Sequence, residues 1–246
     1  MSTSDARQEL PSGDVVAICD LGRIAYAEAL EIQRRTHADL VASRGADDAT
    51  SRGPMTVFLL EHDPPVITIS RRPGAEAHLV ASRELLDRHG VTVAETDRGG
   101  DITYHGPGQL VAYPILDLNR LGLRVHSYMR LLEQIVIDTL AEFGVAGERD
   151  ASATGVWVGD VASGATASRK ICAMGVRVSR WITMHGLALN VDTNLDHFGL
   201  IVPCGLVGRG VTSLRAELGA RAPDMNEAKR RLAARFVSEI EALARP

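Results

Sequence analysis

Lysine is nearly missing from this chain. Of its 27 basic residues two are lysine, Lys170 and Lys229, and the other 25 are arginine. A protein that uses Arg wherever a positive charge suffices keeps Lys where it needs a group that gives up its proton. Lys229 lies in Glu227-Ala228-Lys229-Arg230-Arg231, which reads as a solvated helix face. Lys170 is therefore the lysine to follow. Aromatics are also scarce, at 4%, which argues against a base-stacking surface for nucleic acid. With a net charge of −4 and no block of like charges, nothing suggests a polybasic or acidic interaction tail. No apolar run approaches the roughly 20 residues of a membrane span. Residues 1–7 hold no apolar stretch of the signal-peptide kind, so a cytoplasmic location is expected. The three cysteines, Cys19, Cys172 and Cys204, cannot all pair, and none forms a Cys-x-x-Cys metal knuckle. That pattern fits a reducing compartment, where any special cysteine is a nucleophile.

What is present is the composition of a soluble globular protein, 45% hydrophobic and 24% charged. Its 246 residues suffice for one large domain, here taken as 1–246. Residues 1–13 are expected to be a disordered N-terminus, and the small, polar stretch 43–54 an exposed mobile loop. Residues 14–19 read as a first strand with Cys19 in the core. Leu21, Ala25, Ala29 and Ile32 then mark one face of a helix. Thr56–Leu60 and Val66–Ile69 read as short buried strands joined by Glu61-His62-Asp63-Pro64-Pro65. Ser82 to Gly90 reads as a capped helix and Val91–Ala94 as a strand. The longest helix is expected to be capped by Ser127 and ended by Gly144, with Tyr128, Leu131, Leu132, Ile135 and Phe143 inward. Strands 170–178 and 182–191 follow a polar turn at 159–168. The last helix starts with the capping-box pair Asp224 and Glu227 and buries Ala233, Phe236, Ile240 and Leu243. Strands adjacent in sequence outnumber helices, so the fold class is α/β of the α+β type: a mixed, largely antiparallel sheet flanked by helices.

The densest chemistry lies in Arg98-Gly99-Gly100-Asp101-Ile102-Thr103-Tyr104-His105-Gly106-Pro107-Gly108-Gln109. Four glycines and a proline in twelve positions suit neither a helix nor a plain strand, and the polar residues between them make a ligand-binding loop. The Walker Lys-Ser or Lys-Thr is replaced by Gln109-Leu110, and a strand rather than a helix follows. Both facts disfavour a nucleotide loop.

Two thiols compete for a nucleophilic role. Cys204 lies in Pro203-Cys204-Gly205, a turn that leaves sulfur and the next N–H accessible. Cys172 is two residues from Lys170, which on a strand puts both on one face, but its neighbours Ile171, Ala173 and Met174 suggest packing. Cys204 ranks first. A neighbouring amine would lower its thiol pKa and then accept its proton. His62, His105 and His185 stand beside glycine or in a proline turn and are assigned positioning or relay roles. No i, i+4 histidine pair supports a metal site.

With these residues in hand, the chain resembles the octanoyltransferases, also called lipoate–protein ligase B or lipoyl(octanoyl) transferase. The resemblance spans roughly residues 14–217. It rests on Glu61-His62…Pro64-Pro65-Val66, the Arg98–Gln109 loop, Lys170-Ile171…Gly175, Thr183-Met184-His185-Gly186…Asn190 and Pro203-Cys204-Gly205…Arg209-Gly210-Val211-Thr212-Ser213-Leu214. Asp63 is an insertion relative to the family, loops 43–54 and 159–168 look long, and Cys172 stands where the family commonly has Ala. The resemblance implies a biotin/lipoate-protein ligase-like fold, Cys204 as acyl-accepting nucleophile and Lys170 as its partner. The acyl pocket it implies is lined by Arg98, Gly99, Gly100, Asp101, Ile102, Thr103, Tyr104 and His105, by Ala173, Met174 and Gly175, and by Gly186, Leu187 and Ala188. His62 and His185 are auxiliary. The implied reaction is transfer of octanoyl from octanoyl-acyl carrier protein to the lysine of a lipoyl domain, the first step of endogenous protein lipoylation. Acceptors would be the lipoyl domains of 2-oxoacid dehydrogenase E2 subunits and the glycine cleavage H protein, with no ATP or metal cofactor and no nucleic-acid or membrane partner. Thioester exchange is nearly balanced and amide formation is downhill, which is why ATP is not needed. Arg71, Arg72 and Arg209 are expected to be exposed and to meet the acidic carrier. Two rival readings are an ATP-dependent lipoate or biotin ligase, which would not need Cys204, and a non-enzymatic acyl-binding module.

Overall fold

The computed structural model describes residues 10–45, 53, 55–159, 168–202 and 209–245. Cys204, with Pro203 and Gly205, and most of the stretches 43–54 and 159–168 lie outside the described residues.

Eleven strands and five helices are described. They run β1 (Val16–Ile24), α1 (Tyr26–Ala42), β2 (Met55–His62), β3 (Val66–Ser70), α2 (Arg83–His89), β4 (Thr92–Thr96), β5 (Ile102–His105) and β6 (Gln109–Ile115). After these come α3 (Val125–Glu142), β7 (Glu148–Arg149), β8 (Val156–Gly159), β9 (Ser168–Ser179), β10 (Ile182–Asn190), β11 (Gly210–Val211), α4 (Leu214–Leu218) and α5 (Met225–Ala244). The larger sheet has the order β1-β2-β6-β10-β9-β8-β7, with β11 added on β9, and β4-β3-β5 form a separate small sheet. In the larger sheet β1 joins β2 and β11 joins β9 in parallel, and every other described pairing is antiparallel. This is the mixed, largely antiparallel arrangement expected from the order of elements.

The central strands are buried along their whole length, β6 and β10 without a break, so they read as continuous apolar runs rather than alternating ones. Pro114 has no N–H to give within β6. Thr183 compensates from β10: its hydroxyl donates to Pro114 O at 2.6 Å and accepts from Leu116 N at 2.9 Å. Helix α1 lies across β10, β6 and β2, while α3 and α5 pack on each other. Tyr128, Leu132, Ile135 and Val136 of α3 and Leu232, Ala233, Phe236 and Ile240 of α5 fill the main core. A second core under the small sheet holds Ile67, Ile69, Ile102 and Tyr104.

Several boundaries differ from expectation, each for a physical reason. Leu21 belongs to β1, which runs on to Ile24 because it pairs with β2 over its full length. The glycine-rich stretch is not all loop: Ile102–His105 is strand β5, paired with β3, and the glycines flank it. Ser127 is the third residue of α3 rather than its cap. Arg124 is the cap, and its N–H bonds back to Ser127 Oγ at 2.9 Å. The longest helix is α5, with 20 residues against 18 in α3. The caps of α2 and α5 fall where expected, at Ser82 and Asp224. Cys19 is half-buried against the core, and Leu243 is exposed. Lys229 is the clearest correction. It is 5% exposed, and its amine bonds Asp20 Oδ1 and Oδ2 at 2.8 and 2.9 Å, tying α5 to β1. Of the expected disordered N-terminus, Leu10 packs on the core and Gly13 N donates to Val16 O.

Candidate active site

β9 and β10 run side by side in the middle of the larger sheet, with Gly175 directly opposite Gly186. Neither position has room for a side chain. A Cβ on Gly186 would come within 2.2 Å of Ala112 O, and one on Gly175 within 2.6 Å of Gly99 O. The close approach of backbones leaves a cavity of about 260 Å³ over these strands. That is just below the roughly 300–1,000 Å³ of drug-sized sites, a size for a small group.

The cavity gathers most of the expected residues. Arg98, Gly100, Asp101, Ile102, Thr103 and His105 line it from the glycine-rich stretch, Lys170, Ala173, Met174 and Gly175 from β9, and His185, Gly186, Leu187 and Ala188 from β10. Three expected residues lie elsewhere. Gly99 donates its N–H to Val176 O at 2.8 Å beside the wall. Tyr104 turns into the second core, with its hydroxyl bonded to His197 at 2.8 Å. His62 is fully buried behind Tyr113. Tyr26, Tyr113, Phe198 and Val211 complete the apolar lining. Val211 belongs to the motif Arg209-Gly210-Val211-Thr212-Ser213-Leu214, whereas Tyr26, Tyr113 and Phe198 lie outside the quoted motifs.

Lys170 stands at the end of the cavity near β8. Its Nζ donates to Thr154 O at 3.1 Å and lies 4.7 Å from the centre of the Trp157 ring. Burial is the main reason its pKa falls to about 8, with the charge of Arg209 acting the same way and Cys172 and Asp150 opposing. Such an amine both holds and releases a proton near neutral pH. Cys172 does not share its face. The pairing of β8 with β9 runs from Val156–Cys172 to Trp157–Lys170 and leaves Ile171 as an extra residue. A bulge of this kind re-aims the side chains on either side of it. Lys170 enters the cavity while Cys172 enters the core with no exposure. Burial pushes its thiol up to about 12, so it is a packing residue.

His62, His105 and His185 are neutral, and their tautomers are fixed by their partners. His62 donates from Nδ1 to Ile24 O at 3.2 Å, so its Nε2 accepts from the Tyr113 hydroxyl at 2.7 Å. Desolvation lowers its pKa to about 4. His105 is likewise held well below its ordinary value by burial, with Nδ1 on Gln109 Oε1 at 2.8 Å. His185 donates from Nε2 to Asp97 Oδ1 at 2.9 Å, and Arg177 pairs with the other oxygen of Asp97 at 3.2 Å. His185 has φ of 58° within a strand, a conformation costing about 1–3 kcal/mol that persists where its surroundings over-determine it. Its N–H goes to Gln33 Oε1 at 2.8 Å. Arg98 is spent on structure: it bonds Thr68 O and Oγ1, both at 2.9 Å, and Gly99 O at 3.0 Å. Asp101 is buried and receives His78 Nδ1 at 3.0 Å. Among the described residues no group of three His, Cys, Asp or Glu side chains could hold a metal ion.

The segment carrying Cys204 is outside the described residues, yet the chain on both sides of it adjoins the cavity. Phe198 and Val211 both line it, and Val211 pairs with Lys170. Arg209 was expected to be exposed, but its side chain is 6% exposed and bonded to Asp150 Oδ2 at 2.6 Å. Arg71 and Arg72 are exposed.

The mixed sheet carries a small cavity over glycine-lined strands, with a half-buried lysine at its end, a site of the size and lining that a catalytic domain uses for a small apolar group. Residues 25–237 match the lipoyl protein ligase A/B catalytic domain family, and the chain belongs to that family. Two relatives narrow the similarity. An octanoyltransferase of Christiangramia forsetii is 42% identical over 229 residues, covering 92% of this chain and 96% of its own. An octanoyltransferase of Porphyromonas gingivalis is 47% identical over 224 residues, covering 91% of this chain but only 44% of that longer relative. The fold is shared with the bipartite lipoate protein ligase of Thermoplasma acidophilum, with a TM-score of 0.64 at 15% identity over 96% of this chain and 91% of the other.

Proposed function

We propose that the protein transfers an octanoyl group from octanoyl-acyl carrier protein to the lysine of a lipoyl domain, through a thioester on Cys204. The observation that carries this reading is Lys170: a half-buried amine with a pKa of about 8, at the end of an apolar cavity sized for a short acyl chain. The octanoyltransferase relatives support the acyl group and the transfer. At pH 7 on the order of a tenth of such an amine is neutral, enough to accept a proton without an external base.

In the first half-reaction neutral Lys170 takes the Cys204 proton, and the thiolate attacks the donor's thioester carbonyl. The carbon–sulfur bond to the carrier breaks, and the departing thiolate takes the proton from Lys170. In the second, the amine of the acceptor lysine attacks the Cys204 thioester. Lys170 receives the proton from nitrogen and returns it to the leaving sulfur, so an amide and a free thiol remain. Dividing one transfer into two steps at one carbonyl is the advantage of a covalent intermediate. The sheet strands around Gly175 and Gly186 keep the acyl chain in the cavity while carrier and acceptor exchange.

Intact-protein mass after incubation with octanoyl-acyl carrier protein tests this, with Cys204→Ala alongside. The expected result is one octanoyl adduct on the native chain, removed by hydroxylamine and absent from the variant. No adduct, or one that survives in the variant, overturns the thioester reading. Acylation that starts only when ATP and free octanoate are added would identify a ligase instead.

A further inference from the structure

We propose that Arg209 is a positioning residue for Lys170: clamped by Asp150 and Ser168, its guanidinium holds a permanent positive charge against Trp157, the ring over which the Lys170 amine lies. The inference rests on the role given to Lys170 above and adds what sets that role.

An arginine that merely served solubility would reach into water. Arg209 is folded inward instead. Its Nη2 donates to Asp150 Oδ2 at 2.6 Å and to Ser168 Oγ at 2.7 Å. Its Cζ sits 3.5 Å from the centre of the Trp157 ring, and Lys170 Nζ sits 4.7 Å from the same centre. Trp157 is fully buried, and its Nε1 donates to Ala153 O at 3.0 Å, so the ring cannot swing away. Asp150 is itself fixed, its Oδ1 accepting from Ser152 N at 2.7 Å and Ser152 Oγ at 2.6 Å. Serine bonds and Arg209 hold its carboxyl down at about 2, so it is ionised throughout the working range.

The groups that face the amine come from each element around it. The loop before β8 supplies Thr154 O as acceptor and Asp150 as an anion. β8 supplies the π face of Trp157, which favours a cation. From β9, Cys172 works with Asp150 in favour of the Lys170 proton although its side chain packs in the core, and Arg169 pairs with Glu217 at 3.0 Å. β11 contributes Val211 and no charge. Arg209 is thus the cation that opposes Lys170 protonation, and Asp150 is the anion that both holds Arg209 and partly cancels it. Two permanent charges of opposite sign beside one amine allow its proton affinity to be set without burying it completely.

The scarcity of lysine makes the test direct. With [ε-13C]lysine the chain gives only two side-chain signals, from Lys170 and Lys229, assigned by Lys229→Arg. Lys229, four strand positions away on the Asp20 side of the sheet, reports whether the fold is intact. Titration by NMR should show the Lys170 midpoint rise by about one pH unit in Arg209→Gln and fall in Asp150→Asn. The Lys229 signal should stay where it is. Loosened packing would move both variants the same way, so opposite displacements are the signature of the charges. Midpoints that stay together with the native one, or move in the same direction, overturn the proposal. The pH profile of single-turnover octanoyl transfer separates it from the proposed function. If the Lys170 midpoints move apart but the acid limb of transfer does not follow them, Arg209 keeps its role and the proton-carrier reading of Lys170 fails.

Discussion

Lys170 holds its place because three features coincide at one residue: a bulge that turns it into the cavity, a backbone carbonyl for its Nζ, and burial that lowers its pKa to about 8. Lys170→Arg retains the charge and loses the exchangeable proton. Single-turnover transfer should fall by about 10²–10⁴-fold, the usual contribution of a positioned acid or base. A rate within a few-fold of the native one would remove Lys170 from the proton path. The buried histidines have a different consequence, for stability. His62 is neutral in the fold, with a pKa of about 4 against an ordinary value of 6.5. Between those values the unfolded chain binds a proton that the native chain does not, so stability rises with pH across this window and is lost as pH falls through it. For this one ring the loss from pH 7 to pH 4 is about 3 kcal/mol. Urea unfolding at several pH values should show this slope, and His62→Gln should flatten it by about that amount. An unchanged slope in the variant would place the acid sensitivity in other groups.

At the scale of elements, the tie between α5 and β1 rests on an unequal pair. Lys229 is 7% exposed at its side chain and Asp20 33%, so removing one partner is not equivalent to removing the other. Asp20→Ala strands an ammonium away from water and should lower unfolding free energy by about 2–3 kcal/mol. Lys229→Met leaves a carboxylate that water reaches and should cost under about 1 kcal/mol. Equal losses in denaturant titrations would mean that packing rather than charge makes the tie. The charged run Glu227-Ala228-Lys229-Arg230-Arg231 was read as a solvated face from its composition, although Lys229 stands four residues before Ala233 and so on the face that α5 buries. The caps of α2 and α5 and the strand pair β9–β10 were legible, since Ser82, Gly90 and Asp224 are local signals. The bulge at Ile171 was not, because it is a relation between β8 and β9. A plain strand period therefore placed Cys172 beside Lys170. The turn between β9 and β10 falls where the two strands were expected to part, although Arg180 and Trp181 both take positive φ, 54° and 63°, without a glycine to announce it. Gly186 was found through the motif Thr183-Met184-His185-Gly186, which carries the family resemblance, and His185 because it stands beside a glycine. Tyr26 and Phe198 were missed because only the tertiary fold brings them to the cavity.

The whole molecule carries a net charge of −4, so an acidic carrier protein gains nothing from its average field and must find a local one. The cavity provides it. Arg72 lines the opening with its side chain 59% exposed, and Arg71 is exposed beside it. Val80 and Val202 are exposed at 56% and 38%. They belong to segments 78–81 and 200–202, which are joined by bonds from Val80 N to Leu200 O and Val202 N to His78 O, and His78 in turn bonds Asp101 of the cavity wall at 3.0 Å. Basic and apolar groups side by side at the mouth of an acyl cavity suit a donor that is acidic in its body and apolar in its cargo. Exposed charges of this kind are screened over a Debye length of about 8 Å at physiological salt, so they act on encounter more than on chemistry. The KM for octanoyl-acyl carrier protein should therefore rise about 3–10-fold between roughly 0.05 and 0.3 M salt, with kcat nearly constant. Arg71→Glu should raise KM at low salt and remove most of the salt dependence, while leaving hydrolysis of a small octanoyl thioester unchanged. A KM that ignores salt in the native protein would move the carrier to another face, and the arginines at the rim would then serve only the fold.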